Sequence, residues 1–271
     1  MGFISSHFKK ICYKLKPKKN LDNIIIENKN LDYLFNFFGS DKGSLVFNKY
    51  HGHSYGKFYE KHLNKFKDEN FNMLEIGASY GASVAAFYFF FKKANIFCLD
   101  KNFKFKFAAA RINFFNCDTS KQLDLKNFDE FLLKKNCQSF DLIIDDGSHL
   151  LSDIKKNFLF FFKYLKSGGY YVIEDYNHPK YYEESNDIKN NEQLIEDFLN
   201  SLKQKKFFNS QISNFNSNNN IFKMISDINQ YKGNMKLSRE MMIAQDGLVS
   251  KKKLDQLENI NVSDIVFIKK K

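Results

Sequence analysis

Between residues 71 and 174 short apolar runs alternate with longer amphipathic stretches, the pattern of strands joined by crossover helices. Phe71–Ile76 predicts a strand and Ala82–Lys93 a helix with an apolar face. Asn95–Leu99, ending at Asp100, predicts a second strand, Phe103–Arg111 a short helix, and Ile112–Asn116 a third strand leading to Asp118. Leu123–Asn136 reads as helical and Phe140–Ile144 as a fourth strand. Leu150–Leu165 predicts a long helix closed by Ser167-Gly168-Gly169, since glycine suits a helix stop. Tyr170–Ile173 is the fifth strand. Such alternation implies an α/β fold: a Rossmann-like, doubly wound, mostly parallel sheet with helices on both faces.

The flanks read differently. Residues 1–30 form a basic lead-in, and residues 31–70 a helical cap, interrupted at Gly39–Gly43 and near His51-Gly52-His53. The core is expected over 71–179. After Pro179 the rhythm breaks, and the polar, Asn-rich residues 180–235, helical at Glu192–Lys203, read as an insertion or lid. Residues 236–271 return to sheet character at Met241–Ala244 and Asp264–Ile268, with an antiparallel closing strand.

Hydrophobic residues make up 43% of the 271, enough for a sizeable core. The 32 Phe against no Trp read as coding bias rather than as a functional signal. Runs such as Phe87–Phe91 and Phe158–Phe162 fall far short of the roughly 20 residues that a bilayer requires. The four cysteines, Cys12, Cys98, Cys117 and Cys137, make no CxxC pair, which points to a reducing, cytoplasmic setting without a disulfide frame or structural zinc. A net charge of +11 suits polyanionic partners. Lysines crowd residues 9–19, where they serve either as a solvated tail or, interleaved with Phe3, Ile4, Phe8, Ile11 and Leu15, as a peripheral contact with the inner membrane face. Met1-Gly2-Phe3-Ile4-Ser5-Ser6 also fits a myristoylation pattern, though so short a match carries little information. A homo-oligomer is compatible with the sequence.

The chemistry concentrates at strand ends. Asp145-Asp146-Gly147-Ser148-His149 follows the fourth strand and Glu174-Asp175 the fifth. If those strands are parallel neighbours, their acidic ends lie roughly 5 Å apart, close enough to share a divalent cation. Asp146, Glu174 and Asp175 offer hard oxygen ligands suited to Mg²⁺ or Mn²⁺. His149, across a tight turn, points into the same cleft as a base near neutral pH. Leu74–Ser83 reads as a strand, a glycine turn (Gly77, Gly81) and a helix start, where backbone approaches a ligand closely. The spacing is G-x-x-x-G and not the dinucleotide fingerprint. Asp100, at the next strand end, is placed to accept ribose hydroxyls.

Leu74–Ser83 resembles motif I of the class I S-adenosylmethionine-dependent methyltransferases. The resemblance implies S-adenosyl-L-methionine as cofactor, bound by the stretch that runs through Gly81 and Ser83. By it, Glu75 and Gly77 flank the methionine portion, Asp100 binds the ribose and Asp118 contacts the adenine. Asp145 either orients its turn or touches the cofactor. The segments Ile144–His149 and Gly168–Asp175 resemble those of the metal-dependent sugar O-methyltransferases acting on macrolide glycosides, and of related enzymes of surface and capsular polysaccharide tailoring. In that branch the counterparts of Asp146, Glu174 and Asp175 hold the cation, and that of His149 deprotonates the acceptor. Gly39-Ser40-Asp41-Lys42 and His53-Ser54-Tyr55 with Tyr59 are similar to the branch's G-T-D-K and H-x-Y-x-x-x-Y elements. The likeness spans residues 37–178. It departs at Leu150–Asp153, which lacks a second histidine, and at Tyr176-Asn177-His178-Pro179, where His178 is a pocket candidate.

The implied activity is methyl transfer to a hydroxyl of a sugar or glycan precursor. Alternatives are a phosphorylated or phosphoramidate-bearing capsule precursor and, since ribose-modifying enzymes need no N/D-P-P-Y/F segment, RNA ribose methylation, although nucleic acid is the less expected partner. A non-catalytic binding module stands last. Tyr55 and Tyr59 are equally suited to core packing or ligand contact, and His51 and His62 are expected at the surface.

Overall fold

A computed structural model describes residues 6–46, 50–177, 194–205, 221–236, 255 and 258–271. The central sheet comprises β1 (Asn72–Ile76), β2 (Asn95–Asp100), β3 (Ile112–Asn116), β4 (Phe140–Asp145), β5 (Leu165–Glu174), β6 (Ile225–Lys232) and β7 (Asp264–Lys270). Their order across the sheet is β6-β7-β5-β4-β1-β2-β3. Strands β1 to β5 pair in parallel, and β7 runs antiparallel to both β5 and β6. The direction of winding reverses at β1, between β2 and β4, which is where doubly wound sheets open a ligand crevice.

Seven helices accompany the sheet among the described residues: α1 (Ser6–Leu15), α2 (Leu31–Phe38), α3 (Gly56–Leu63), α4 (Ala82–Phe90), α5 (Gln122–Lys134), α6 (Leu151–Phe162) and α7 (Ile195–Lys203). Side chains alternate across each strand, so both faces need cover. Leu74, Ile76, Phe97 and Ile143 pack with Phe128, Phe158 and Phe198 beneath α5, α6 and α7. Met73, Ile96, Leu142 and Ile144 pack with Phe35, Tyr59 and Phe87 beneath α2, α3 and α4. Asn30 caps α2 by accepting from the Tyr33 N–H at 2.8 Å, and Gly39 closes it in a left-handed conformation, φ +77°.

Three expectations are corrected. Phe103–Arg111 is not a helix: Phe103, Phe105 and Phe107 alternate with Lys104 and Lys106, a period of two that suits extended backbone, and Phe107–Ala108 pairs with Lys19–Asn20. Ser167-Gly168-Gly169 lies inside β5 rather than at a helix end. There Gly168 takes φ +79°, the β4–β5 register shifts, and a Cβ on Gly169 would stand 2.7 Å from the Asp141 carbonyl. Strand β6 falls within residues 180–235, so the sheet resumes earlier than 236. Within the basic lead-in, Ser6–Leu15 forms α1, with Tyr13 against Phe103 and Phe114 at ring separations of 5.4 and 5.5 Å. His178 and Met241–Ala244 lie outside the described residues.

Candidate active site

The carboxyl ends of β1, β2, β3 and β4 open onto one cleft of about 1210 Å³. The glycine turn forms its floor. Gly77 (φ +88°), Ser79 (φ +47°) and Gly81 (φ +87°) all take left-handed backbone, and the Gly77 and Ala78 N–H groups both donate to the Leu99 carbonyl at 2.9 Å. A Cβ on Gly77 would stand 1.9 Å from the Asp146 carbonyl oxygen, and one on Gly81 2.4 Å from the Phe105 ring. These glycines therefore seat the turn against the Asp146 loop and Phe105, a packing role beside the ligand approach expected of them.

Asp100 and Asp118 both line the cleft. Asp100 accepts from the Ser79 N–H at 2.8 Å and the Asn102 N–H at 2.6 Å, which fixes its carboxylate at the rim. Asp118 accepts from the Ser120 hydroxyl at 2.7 Å and pairs with Lys121 at 3.0 Å. Burial tends to raise its pKa, but the Ser120 bond and Lys121 prevail and hold it below the usual carboxylate range. Glu75 is fully buried beneath the turn, with the Ser83 hydroxyl donating to Oε1 at 2.7 Å, and burial lifts its carboxyl to about 7. Ser83 itself lines the cleft. Asp145, expected either to orient its turn or to touch the cofactor, turns its carboxylate inward. It accepts from Asn157 at 3.2 Å and Tyr171 at 3.3 Å, and burial raises it to about 7.

At the acidic end Ile76 pairs with Asp145 and Asp145 with Ile173, so the two acidic strand ends are neighbours. Asp146, His149 and Asp175 bring one ligand atom each within 4.8 Å of one another. His149 (φ +58°) and Asp175 (φ +51°) hold left-handed backbone, a conformation that is costly for non-glycine residues and clusters at functional sites. His149 Nδ1 lies 3.2 Å from the Glu174 carbonyl, which only accepts, so Nδ1 carries the proton. Nε2 is then the basic nitrogen, 3.6 Å from Asp146 Oδ1.

Glu174 stands apart from that trio. Its carboxylate is buried, accepting from Lys42 Nζ at 2.6 Å and from the Tyr59 hydroxyl. Burial drives its pKa well up, against the pull of Lys42 and with the push of Asp146 and Asp175. Lys42 also donates to Asp146 and lies 3.7 Å from Glu75. Burial lowers the Lys42 pKa, and its three carboxylate neighbours, Asp146 first, raise it well above the ordinary value. Tyr55 donates to Asp175 Oδ1 at 2.5 Å, with His53 Nδ1 at 3.3 Å from the same oxygen. Burial is also the first cause that lifts the Asp175 carboxyl to about 7. Three carboxylates, Glu75, Asp146 and Glu174, thus crowd one ammonium, with Asp175 beside Asp146, an oxygen-rich cluster that fits a hard divalent cation.

Lys42, His53, Tyr55 and Tyr59 had no assigned role in the sequence. Only their place in the two motifs upstream of the glycine turn marked them. Tyr55 and Tyr59 prove to be both core residues and partners of the acidic pair. His51 is exposed, whereas His62 is drawn inward, stacked on Phe267 at 4.4 Å and bonded to the Tyr231 hydroxyl at 2.9 Å.

Residues 74–176 match a family model described as a methyltransferase domain. Among curated proteins the chain is 30% identical over 159 residues to L-olivosyl-oleandolide 3-O-methyltransferase of Streptomyces antibioticus, covering 55% of this chain and 38% of that one. It is 30% identical over 132 residues to mycinamicin VI 2''-O-methyltransferase of Micromonospora griseorubida, covering 45% and 31%. The chain therefore spans well under half the length of these relatives. Among solved structures, the MycE methyltransferase from the mycinamycin biosynthetic pathway, in complex with Mg, SAH and mycinamycin VI, aligns with a TM-score of 0.60 at 19% identity, over 90% of this chain and 55% of that one. That likeness concerns the fold. The glycine turn and the acid at the end of β2 both fall inside the matched stretch, so residues 74–176 are similar in sequence and in fold to a methyltransferase domain.

Proposed function

We propose that the protein is a divalent-metal-dependent O-methyltransferase acting on a hydroxyl of a sugar or glycan precursor. The observation that carries this reading is the convergence of Asp146, His149 and Asp175 within 4.8 Å, where the Asp146 loop packs directly on the glycine turn. Gly77, Gly81, Ser83 and Asp100 would hold S-adenosylmethionine, with Asp118 at the adenine end and Glu75 supporting the turn from below. Asp146 and Asp175 would hold Mg²⁺ or Mn²⁺, and Glu174, tied to Lys42 and Tyr59, completes the acidic wall behind them. When bound, the sulfonium cofactor supplies an electrophilic methyl group and the cation supplies charge that favours an acceptor alkoxide.

The chain's own groups do the rest. An acceptor hydroxyl is too weak an acid to ionise unaided, and His149 Nε2 receives its proton. The Nδ1–H bond to the Glu174 carbonyl fixes the tautomer in which Nε2 is basic. The fixed loop geometry aligns oxygen and methyl carbon, which is the larger part of what a protein adds to this chemistry. The sugar acceptor is supported by the named relatives, which are O-methyltransferases of glycosylated natural products. A role in surface or capsular polysaccharide extends that reading to a larger glycan.

The test is calorimetric titration with S-adenosylhomocysteine, followed by a Mg²⁺-dependent methyl-transfer screen over nucleotide-linked sugars and glycan precursors. Cofactor binding together with EDTA-sensitive transfer to a hydroxyl is expected. Full activity on that acceptor after EDTA treatment and gel filtration would contradict the scheme.

A further inference from the structure

Two segments far apart in sequence come together as one basic surface. Residues 6–21 carry six lysines and no acid, and residues 101–111 carry three lysines, one arginine and no acid. The Tyr13 contact with Phe103 joins them, as does the Lys19 N–H donating to the Lys106 carbonyl at 2.9 Å. Asp22, the first acid after α1, is already engaged by the Tyr88 hydroxyl and the Ala110 N–H. Lys10, Lys14, Lys16, Lys101, Lys104 and Lys106 are all exposed.

The same helix exposes apolar side chains. Tyr13 faces inward, while Ile11 and Leu15, one turn apart, are 42% and 79% exposed. Phosphate-binding surfaces for nucleic acid need lysine and arginine, and gain from exposed aromatic rings on which bases stack. Exposed aliphatic residues among lysines suit a different anionic partner, one with hydrocarbon beneath its charge. No helix among the described residues is long and apolar enough to cross a membrane, so the contact would be peripheral.

We infer that α1 and the 101–106 loop form a docking surface for an anionic phospholipid bilayer. Lysines near such a surface each add to binding, and Ile11 and Leu15 enter the headgroup boundary. The surface reaches the cleft rim at Lys101 and Lys106, which places the bilayer beside the mouth of the cleft. The inference stands on charge and exposure, independently of the reaction proposed above.

The experiment is co-sedimentation of the full chain with vesicles of phosphatidylglycerol and phosphatidylcholine, against phosphatidylcholine alone, at 0.1 and 0.5 M NaCl. Fluorescence anisotropy with a single-stranded RNA oligonucleotide runs in parallel. Binding to the anionic vesicles only, weakened by salt, is expected. The triple variant Lys10→Gln, Lys14→Gln, Lys16→Gln should lose about tenfold or more in vesicle affinity. The pair Ile11→Ser, Leu15→Ser should lose at least about threefold at unchanged charge, with circular dichroism and S-adenosylhomocysteine affinity as for the parent chain. Absence of binding to anionic vesicles overturns the inference. So does an Ile11→Ser, Leu15→Ser variant that binds them like the parent, or RNA bound more tightly than the vesicles.

Discussion

Each acidic residue of the cleft is distinguished by its partners, and mutations should separate them. Asp146→Ala removes a carboxylate of the cation site and the partner of Lys42, so turnover should fall by about 10³-fold or more while S-adenosylhomocysteine affinity stays within about threefold, read by kinetics and calorimetry. His149→Ala removes the basic Nε2 and should cost roughly 10²–10⁴ in kcat with metal still bound. Asp145 lies behind this site and gives a stability signal instead. Its folded pKa, about 7, stands above the 3.8 of an ordinary aspartate, so the unfolded chain ionises first. Stability from this group is therefore full below about pH 4 and declines as pH rises towards 7. In EDTA-treated protein Asp145→Asn should raise the melting temperature at pH 8, by the equivalent of about 2–4 kcal/mol, and leave it nearly unchanged at pH 4. Asp145 also marks a limit of reading residues from sequence. Its neighbour Asp146 faces the cleft, and only the alternation at the strand end decides which of two adjacent carboxylates is turned inward.

At the level of elements, the parallel strands were legible because each is a compact apolar run with an acid or a turn after it. The upstream cap was harder to interpret. Nothing in the local pattern of residues 39–59 announces that Lys42, His53, Tyr55 and Tyr59 reach across to the ends of β4 and β5, since such contacts are set by tertiary packing. The segment 103–111 has a length and composition that allow a helix, while its phenylalanine–lysine alternation fits extended chain. Two substitutions probe how these elements meet. Gly77→Ala forces a side chain into left-handed backbone and into the Asp146 carbonyl, 1.9 Å from the new Cβ. It should cost about 2 kcal/mol or more in chemical denaturation and weaken cofactor and metal binding together. Tyr59→Phe removes a buried hydroxyl from Glu174 and should cost about 1–3 kcal/mol, with S-adenosylhomocysteine affinity retained.

For the whole molecule, the switch in winding at β1 places the glycine turn beside the acidic strand ends, so the proposed cofactor and cation sites share one backbone junction. Gly77 touches Asp146 across it. The sequence motifs conveyed that proximity well, whereas the position of β6 within the polar stretch 180–235 did not emerge from them, since its alternation is weak and its pairing with β7 is long-range. The central claim is that Asp146 and Asp175 hold one divalent cation next to the methyl donor. Its most direct test is titration of the 271-residue chain with Mn²⁺, followed by electron paramagnetic resonance, with S-adenosylhomocysteine present. One bound ion per chain, displaced by Mg²⁺ and lost in both Asp146→Ala and Asp175→Ala, is the predicted result. No saturable Mn²⁺ binding in the parent chain, or unchanged binding in both variants, would contradict it.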